Sequence, residues 1–249
     1  MEHSEHSRQS KRRILIYLAF AFGIAWATAL VVFLTGGLSD SPVVIPTLNV
    51  TLALILVAGP YMWAPALAHL LTRLVTREGW EDLTLRPRLR QAWPYLLAAW
   101  VAPAVLTIVG LVIYFLLFPR NYDADLAVLR QMLESAPVAP DQVNLWVLVA
   151  AQVLQGLLIS PFVNGIATFG EEFGWRGYLQ PRMLALGIAP RRVMVLMGVV
   201  WGVWHWPVIL MGHNYGLDYP GAPFLGPLAM VWFTLVVGTL LGWLVYRAR

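Results

Sequence analysis

The stretch TFGEEFGWRGYLQ, residues 168–180, sets two adjacent carboxylates, Glu171 and Glu172, directly after a long apolar run. Arg176 follows four residues after the second. The chain is 59% hydrophobic and 12% charged, so carboxylates at the end of a membrane-length segment are unfavourable unless other groups hold them there. What surrounds them therefore decides how the whole chain is read.

The 249 residues have a mean hydropathy of +0.68. Several apolar runs reach about 20 residues, the length of a helix that crosses a bilayer. This pattern excludes an ordinary soluble enzyme and predicts an all-α, polytopic transmembrane helical bundle. There is no cysteine, which excludes disulfides and Cys-ligated zinc. The formal charge of +4 is not a nucleic-acid footprint, because the basic residues sit in short loops between apolar runs. No nucleic-acid partner is expected; membrane lipids are.

Six spans are read. Residues 1–13 form a polar tail, expected to be disordered and cytoplasmic, in which His3 and His6 have no metal role. Residues 14–36 are the first span, a retained anchor too long for a signal-peptide core. A Gly-, Ser- and Pro-rich loop at 37–49 leads to the second span, 50–75, which Pro60 and Pro65 interrupt and in which His69 is a packing or interfacial residue. A charged loop at 76–91 precedes the third span, 92–118. The longest loop, 119–144, holds a short amphipathic stretch near 126–133. The fourth span starts near Leu145 and runs into the opening motif. The fifth covers 193–211 and the sixth 224–246. Organisation follows as N-terminal helices at 14–141 and a distinct C-terminal region at 142–249.

Charge supports this count. Apart from Arg120 and Arg130, every basic residue falls on one side of a six-span topology, which puts both termini in the cytoplasm of a cell-membrane protein. Gly198 with Gly202, and Gly238 with Gly242, form small-residue faces that allow close helix approach.

On the fourth span Ser160, Asn164, Thr168 and Glu172 recur every four residues and share a face. Lipid cannot satisfy such a stripe, so it must face other helices or a wet cavity. Glu172 and Arg176 stand at i, i+4 with the acid first, the favourable order for an ion pair. Glu171 is less well placed to pair with Arg176, which makes it the better candidate for a free base. The two glutamates also fit a plain charge cluster at the headgroups. The fifth span adds Trp201 and His205 on one face. His205 follows Arg192 by a stretch that carries it roughly 20 Å into the membrane. Glu and His are residue types that bind a metal or activate water. No zinc-protease helix motif, serine nucleophile elbow or phosphate loop is present. His213 and Asn214 read as a turn on the opposite side of the membrane from Glu171.

Glu171, Glu172 and Arg176, followed about 30 residues later by Trp201 and His205, resemble the two motifs of the CPBP (or Abi) intramembrane protease family. That family includes the type II CAAX prenyl endopeptidases and bacteriocin-immunity proteins. The resemblance covers roughly 142–249. It implies an active site sunk in the membrane, in which Glu171 activates water and His205 assists, supported by Glu172 and Arg176. It implies a lipidated or membrane-embedded peptide substrate. A divalent metal such as zinc, held by Glu171 and His205, is a further expectation. Two departures stand out. The second motif commonly opens with Phe, where this chain has Trp201. A third motif, His with Asn four residues on, is expected on a later helix, yet nothing after Thr234 is His, Asp, Glu or Asn. The chain is thus expected to be truncated from a longer family fold, or to lack that motif. A non-catalytic immunity or scaffold protein of the same fold is the alternative, and a proton-coupled transporter a third.

Overall fold

The computed structural model describes residues 2–83, 89–134 and 143–248. In chain order its elements are α1 (Glu2–Leu34), a hairpin of β1 (Val43–Ile45) and β2 (Val50–Thr51), α2 (Leu52–Leu56), a π-helical turn (Val57–Tyr61), α3 (Met62–Val75), α4 (Leu89–Leu117), α5 (Ala127–Glu134), α6 (Leu145–Leu158), α7 (Ser160–Gly174), a second π turn (Trp175–Leu179), α8 (Gln180–Ala185), α9 (Pro190–Trp204), α10 (Trp206–Leu210) and α11 (Leu225–Ala248). The fold is an all-α membrane bundle, as the hydropathy predicts. Of the short antiparallel hairpin, β1 lies in the segment read as loop and β2 at the start of the segment read as the second span.

Two sequence expectations are corrected. The tail expected to be disordered is helical from Glu2, continuous with the first span. Its Glu, Gln, Lys and Arg residues are good helix formers, and extending an existing helix needs no new nucleus. The continuity of the spans also changes. Four helices, within Ser7–Leu34, Leu52–Val75, Leu89–Leu117 and Leu225–Arg247, are long and apolar enough to cross a membrane, and Leu145–Leu158 with Ser160–Ala185 makes a fifth as a broken pair. The expected span 193–211 is instead divided at His205 into α9 and α10. Pro207 has no N–H to give the carbonyl of Val203 and its ring crowds that turn, so α9 ends at Trp204.

The chain divides into two compact units, one of 1–87 with 166–249 and one of 88–165. The second unit contains α4, α5 and α6. Asn144 caps α6 by accepting from the amides of Trp146 and Val147 at 3.0 and 3.3 Å. Asp123 caps α5 through the amide of Ala127 at 2.6 Å. Trp100 packs edge-on against Phe162 within this unit.

The first unit holds the core. Tyr17, Ala21, Ala25 and Ala29 recur every four residues on α1 and are all buried, against Ala64 and Ala68 of α3. A stripe of alanines lets these helices approach closely, which drives packing where lipid removes the hydrophobic effect between helices. Trp175 and Tyr178 of the second π turn lie on Tyr17, with ring centroids at 5.7 and 5.2 Å. Gly174 sits against the backbone of Pro65, where a Cβ has no room. Gly170 is similarly tight, since a Cβ there would stand 2.9 Å from the Cα of Trp63.

The pairing of α9 with α11 is the most extensive in the unit. Here both small-residue faces meet: a Cβ on Gly238 would lie 3.5 Å from the Cα of Gly198. Thr234 Oγ1 donates to the carbonyl of Gly198 at 2.9 Å and ties the two helices.

A charged cluster closes one end of the core. Glu78 is buried and receives Arg182, the Tyr178 hydroxyl (2.8 Å) and Arg13 (3.5 Å). Asp82 takes Arg73 at 2.7 Å and Arg182 at 2.6 Å. His69 is buried within it. Its Nε2 accepts from Arg73 Nε at 2.7 Å, so its Nδ1 carries the proton given to the carbonyl of Phe173 at 3.2 Å. His69 is thus a packing residue, as expected, with both ring nitrogens engaged.

Candidate active site

Glu171 lies on the last turn of α7, where Gly170 and Gly174 flank it and bring its backbone down onto α3. Its side chain is buried, and Oε2 accepts the indole N–H of Trp201 at 2.7 Å. Beside the Arg176–Glu172 ion pair, Glu171 thus has a specific donor of its own, on the helix that carries the histidine. Charge placement along the chain could not reveal this, because the bond joins residues 30 positions apart.

His205 stands at the break between α9 and α10. Its Nδ1 lies 2.8 Å from the carbonyl of Trp201, one turn earlier. A carbonyl only accepts, so Nδ1 holds a proton, and in the neutral ring Nε2 keeps its lone pair. Glu171 and His205 thus meet at the same residue, the carboxylate at its indole and the imidazole at its carbonyl. The segment read as starting near Leu145 and running into the motif is broken at Ile159 and passes into a π turn at Trp175.

Glu172 behaves as its spacing predicts and accepts from Arg176 Nη1 at 2.8 Å. Arg176 is buried, and its guanidinium also lies over the Trp201 ring, 4.6 Å from the centroid. Trp201 is therefore held between a cation on its face and an anion at its edge, both of which suit an indole.

The break at His205 is itself supported. The carbonyl of Trp204, at the end of α9, accepts from the Tyr61 hydroxyl at 2.6 Å and from Trp26 Nε1 at 3.2 Å. Trp204 packs on Tyr61 with ring centroids 4.5 Å apart. Neither Tyr61 nor Trp26 was legible as a site residue, since aromatic residues in spans usually signal packing. Beyond α10, left-handed Gly212 reverses the chain, and the amide of His213 bonds the carbonyl of Val208 at 3.0 Å. The expected turn is present. It also brings His213 within electrostatic reach of His205. Burial lowers the pKa of His213 below the ordinary imidazole value.

Among the described residues, no three of His, Asp or Glu gather in a group that could hold a metal ion. Glu171 and His205 supply two donor groups, and one carboxylate oxygen is already bonded to Trp201. Catalytic zinc takes three protein ligands. The donors present therefore do not fit the expected zinc site.

No curated protein and no solved structure gives a match to the chain. Residues 143–249 match a family model described as type II CAAX prenyl endopeptidase Rce1-like. That region contains both glutamates, Arg176, Trp201 and His205 in the arrangement just described. Through residues 143–249, the chain is thus similar to the type II CAAX prenyl endopeptidase Rce1-like family, in agreement with the resemblance read from its two motifs.

Proposed function

We propose that the protein is an intramembrane endopeptidase that hydrolyses a peptide bond in a lipidated or membrane-embedded substrate. The observation that carries this reading is the junction at Trp201, where a buried carboxylate and an imidazole are held by one residue. In the reaction, Glu171 takes a proton from water as the oxygen attacks the scissile carbonyl. His205, with its Nε2 lone pair, accepts a hydrogen bond from the same water or passes the proton on to the leaving amine. Arg176, fixed by Glu172 and Trp201, supplies positive charge beside the developing oxyanion. No step passes through a metal. Cleavage is accordingly expected to persist in excess EDTA, measured against a zinc protease that the same treatment silences.

The test is direct. Purified protein in proteoliposomes should release a C-terminal tripeptide from a farnesylated peptide, detected by mass spectrometry. Absence of cleavage from both prenylated and unmodified membrane peptides would leave the enzymatic reading without support.

The basic residues further support an orientation with both ends in the cytoplasm. That requires α9 and α10, Pro190–Leu210, to complete a sixth, broken crossing of roughly 30 Å. The chain has no cysteine, so single cysteines added at Ser7 and Arg247 report cleanly. Both should resist an impermeant thiol reagent in intact cells; labelling of only one would reverse the assignment of that end.

A further inference from the structure

We propose that Trp201 is a positioning residue for the water-activating pair: its indole N–H holds the Glu171 carboxylate while its carbonyl fixes the proton of His205 on Nδ1. This inference rests on the enzymatic reading above and assigns Trp201 a task beyond packing. The bond needs an N–H donor at this position, which phenylalanine would not supply.

The geometry assigns three separate contacts to one side chain and its backbone. Nε1 reaches Glu171 Oε2 at 2.7 Å, the ring faces the Arg176 guanidinium at 4.6 Å, and the carbonyl receives His205 Nδ1 at 2.8 Å. Only the first contact requires the indole nitrogen. The ring's position is fixed independently, because Gly202 and Gly198 hold α9 against α11 and a Cβ on Gly238 would stand 3.6 Å from the Trp201 ring. An N–H donor favours the ionised carboxylate that must accept the proton of water. The groups that face Glu171 are Glu172 and Arg176 along its own run, Tyr61 from the turn before α3, and Tyr17 from α1. Beside these, Trp201 donates a side-chain hydrogen bond to Glu171. Arg176, in turn, is committed to Glu172 at 2.8 Å.

The experiment compares wild-type protein with Trp201→Phe, and with a chain carrying 3-benzothienylalanine at position 201, which keeps the bicyclic outline and lacks the N–H. Glu171→Gln serves as the inactive reference for the enzymatic reading. Folding is followed by thermal melting in detergent, and cleavage by the pH dependence of kcat/KM on the peptide that wild-type protein cuts. The expected result is that both N–H-free variants remain active, with KM little changed. The acidic limb of their profiles should move to higher pH by about one unit, the size of one lost hydrogen bond to a charged group. The benzothienyl variant gives the answer even where phenylalanine loosens the packing. A limb that stays in place in the benzothienyl variant overturns the proposal, whether activity is unchanged or falls equally at every pH. Wild-type protein that cuts nothing would instead remove the enzymatic reading beneath it.

Discussion

Glu171→Gln is expected to lower peptide cleavage by about 10³-fold, the typical worth of a general base, while the protein melts at an unchanged temperature. The two halves of this expectation have separate causes. Glutamine cannot take a proton from water, so the nucleophile is no longer generated. Its amide oxygen still accepts the Trp201 indole N–H, so the 2.7 Å bond and the packing around it survive. His205→Ala should cost less, on the order of 10²-fold, because it removes assistance rather than the base itself. It also lies at a helix break already secured by the Tyr61 and Trp26 bonds to the carbonyl of Trp204, so α9 should still end where it does. Cleavage assays and detergent melting curves on the same preparations check both halves. Equal activity in wild-type and Glu171→Gln protein would remove Glu171 from the chemistry.

Gly202→Leu should have a large effect on stability. A Cβ at this position would stand 2.6 Å from Thr234 Oγ1 and 2.7 Å from the Cα of Val231. The second obstacle is backbone and cannot turn aside. Adding a leucine therefore pushes α11 away from α9 and breaks the Thr234 bond to the carbonyl of Gly198. Overpacking of this kind costs about 3 kcal/mol, before the lost interhelical bond is counted. Activity should fall with stability, because α9 carries both Trp201 and His205. Gly23→Leu is the control, since nothing lies within 4 Å of its Cβ position. Thermal unfolding in detergent measures the difference, and equal melting temperatures would contradict the packing derived for these helices.

Much of the fold was legible in the sequence because membrane helices must satisfy their own backbone and bury few charges. The apolar runs therefore marked the long helices, and the i, i+4 spacing of Glu172 and Arg176 announced the ion pair found at 2.8 Å. Gly198, Gly202, Gly238 and Gly242 marked the close approach of α9 and α11. What escaped has a common physical character: it depends on contacts distant in sequence. Trp201 reads as a span aromatic until Glu171 is placed beside its nitrogen. Glu78 and Asp82 read as loop charges until Arg13, Arg73 and Arg182 converge on them from three helices. The helical state of the tail escaped for another reason, since polarity alone does not distinguish an unstructured tail from a helix extended out of the membrane. The break at His205 was not read from the sequence, although Pro207 accounts for it, and neither was its consequence. The break leaves the carbonyl of Trp204 for Tyr61 and Trp26, and so fixes the turn on which the imidazole stands.

The measurement that bears most directly on the account is cleavage in ¹⁸O-labelled water. Wild-type protein and Glu171→Gln protein would be reconstituted side by side with a farnesylated peptide. The account predicts that wild-type protein places one ¹⁸O in the newly formed carboxylate of the lipidated fragment, and that the Glu171→Gln reaction yields no product above background. Labelled product in equal amount from both proteins, or none from wild-type protein, would contradict it.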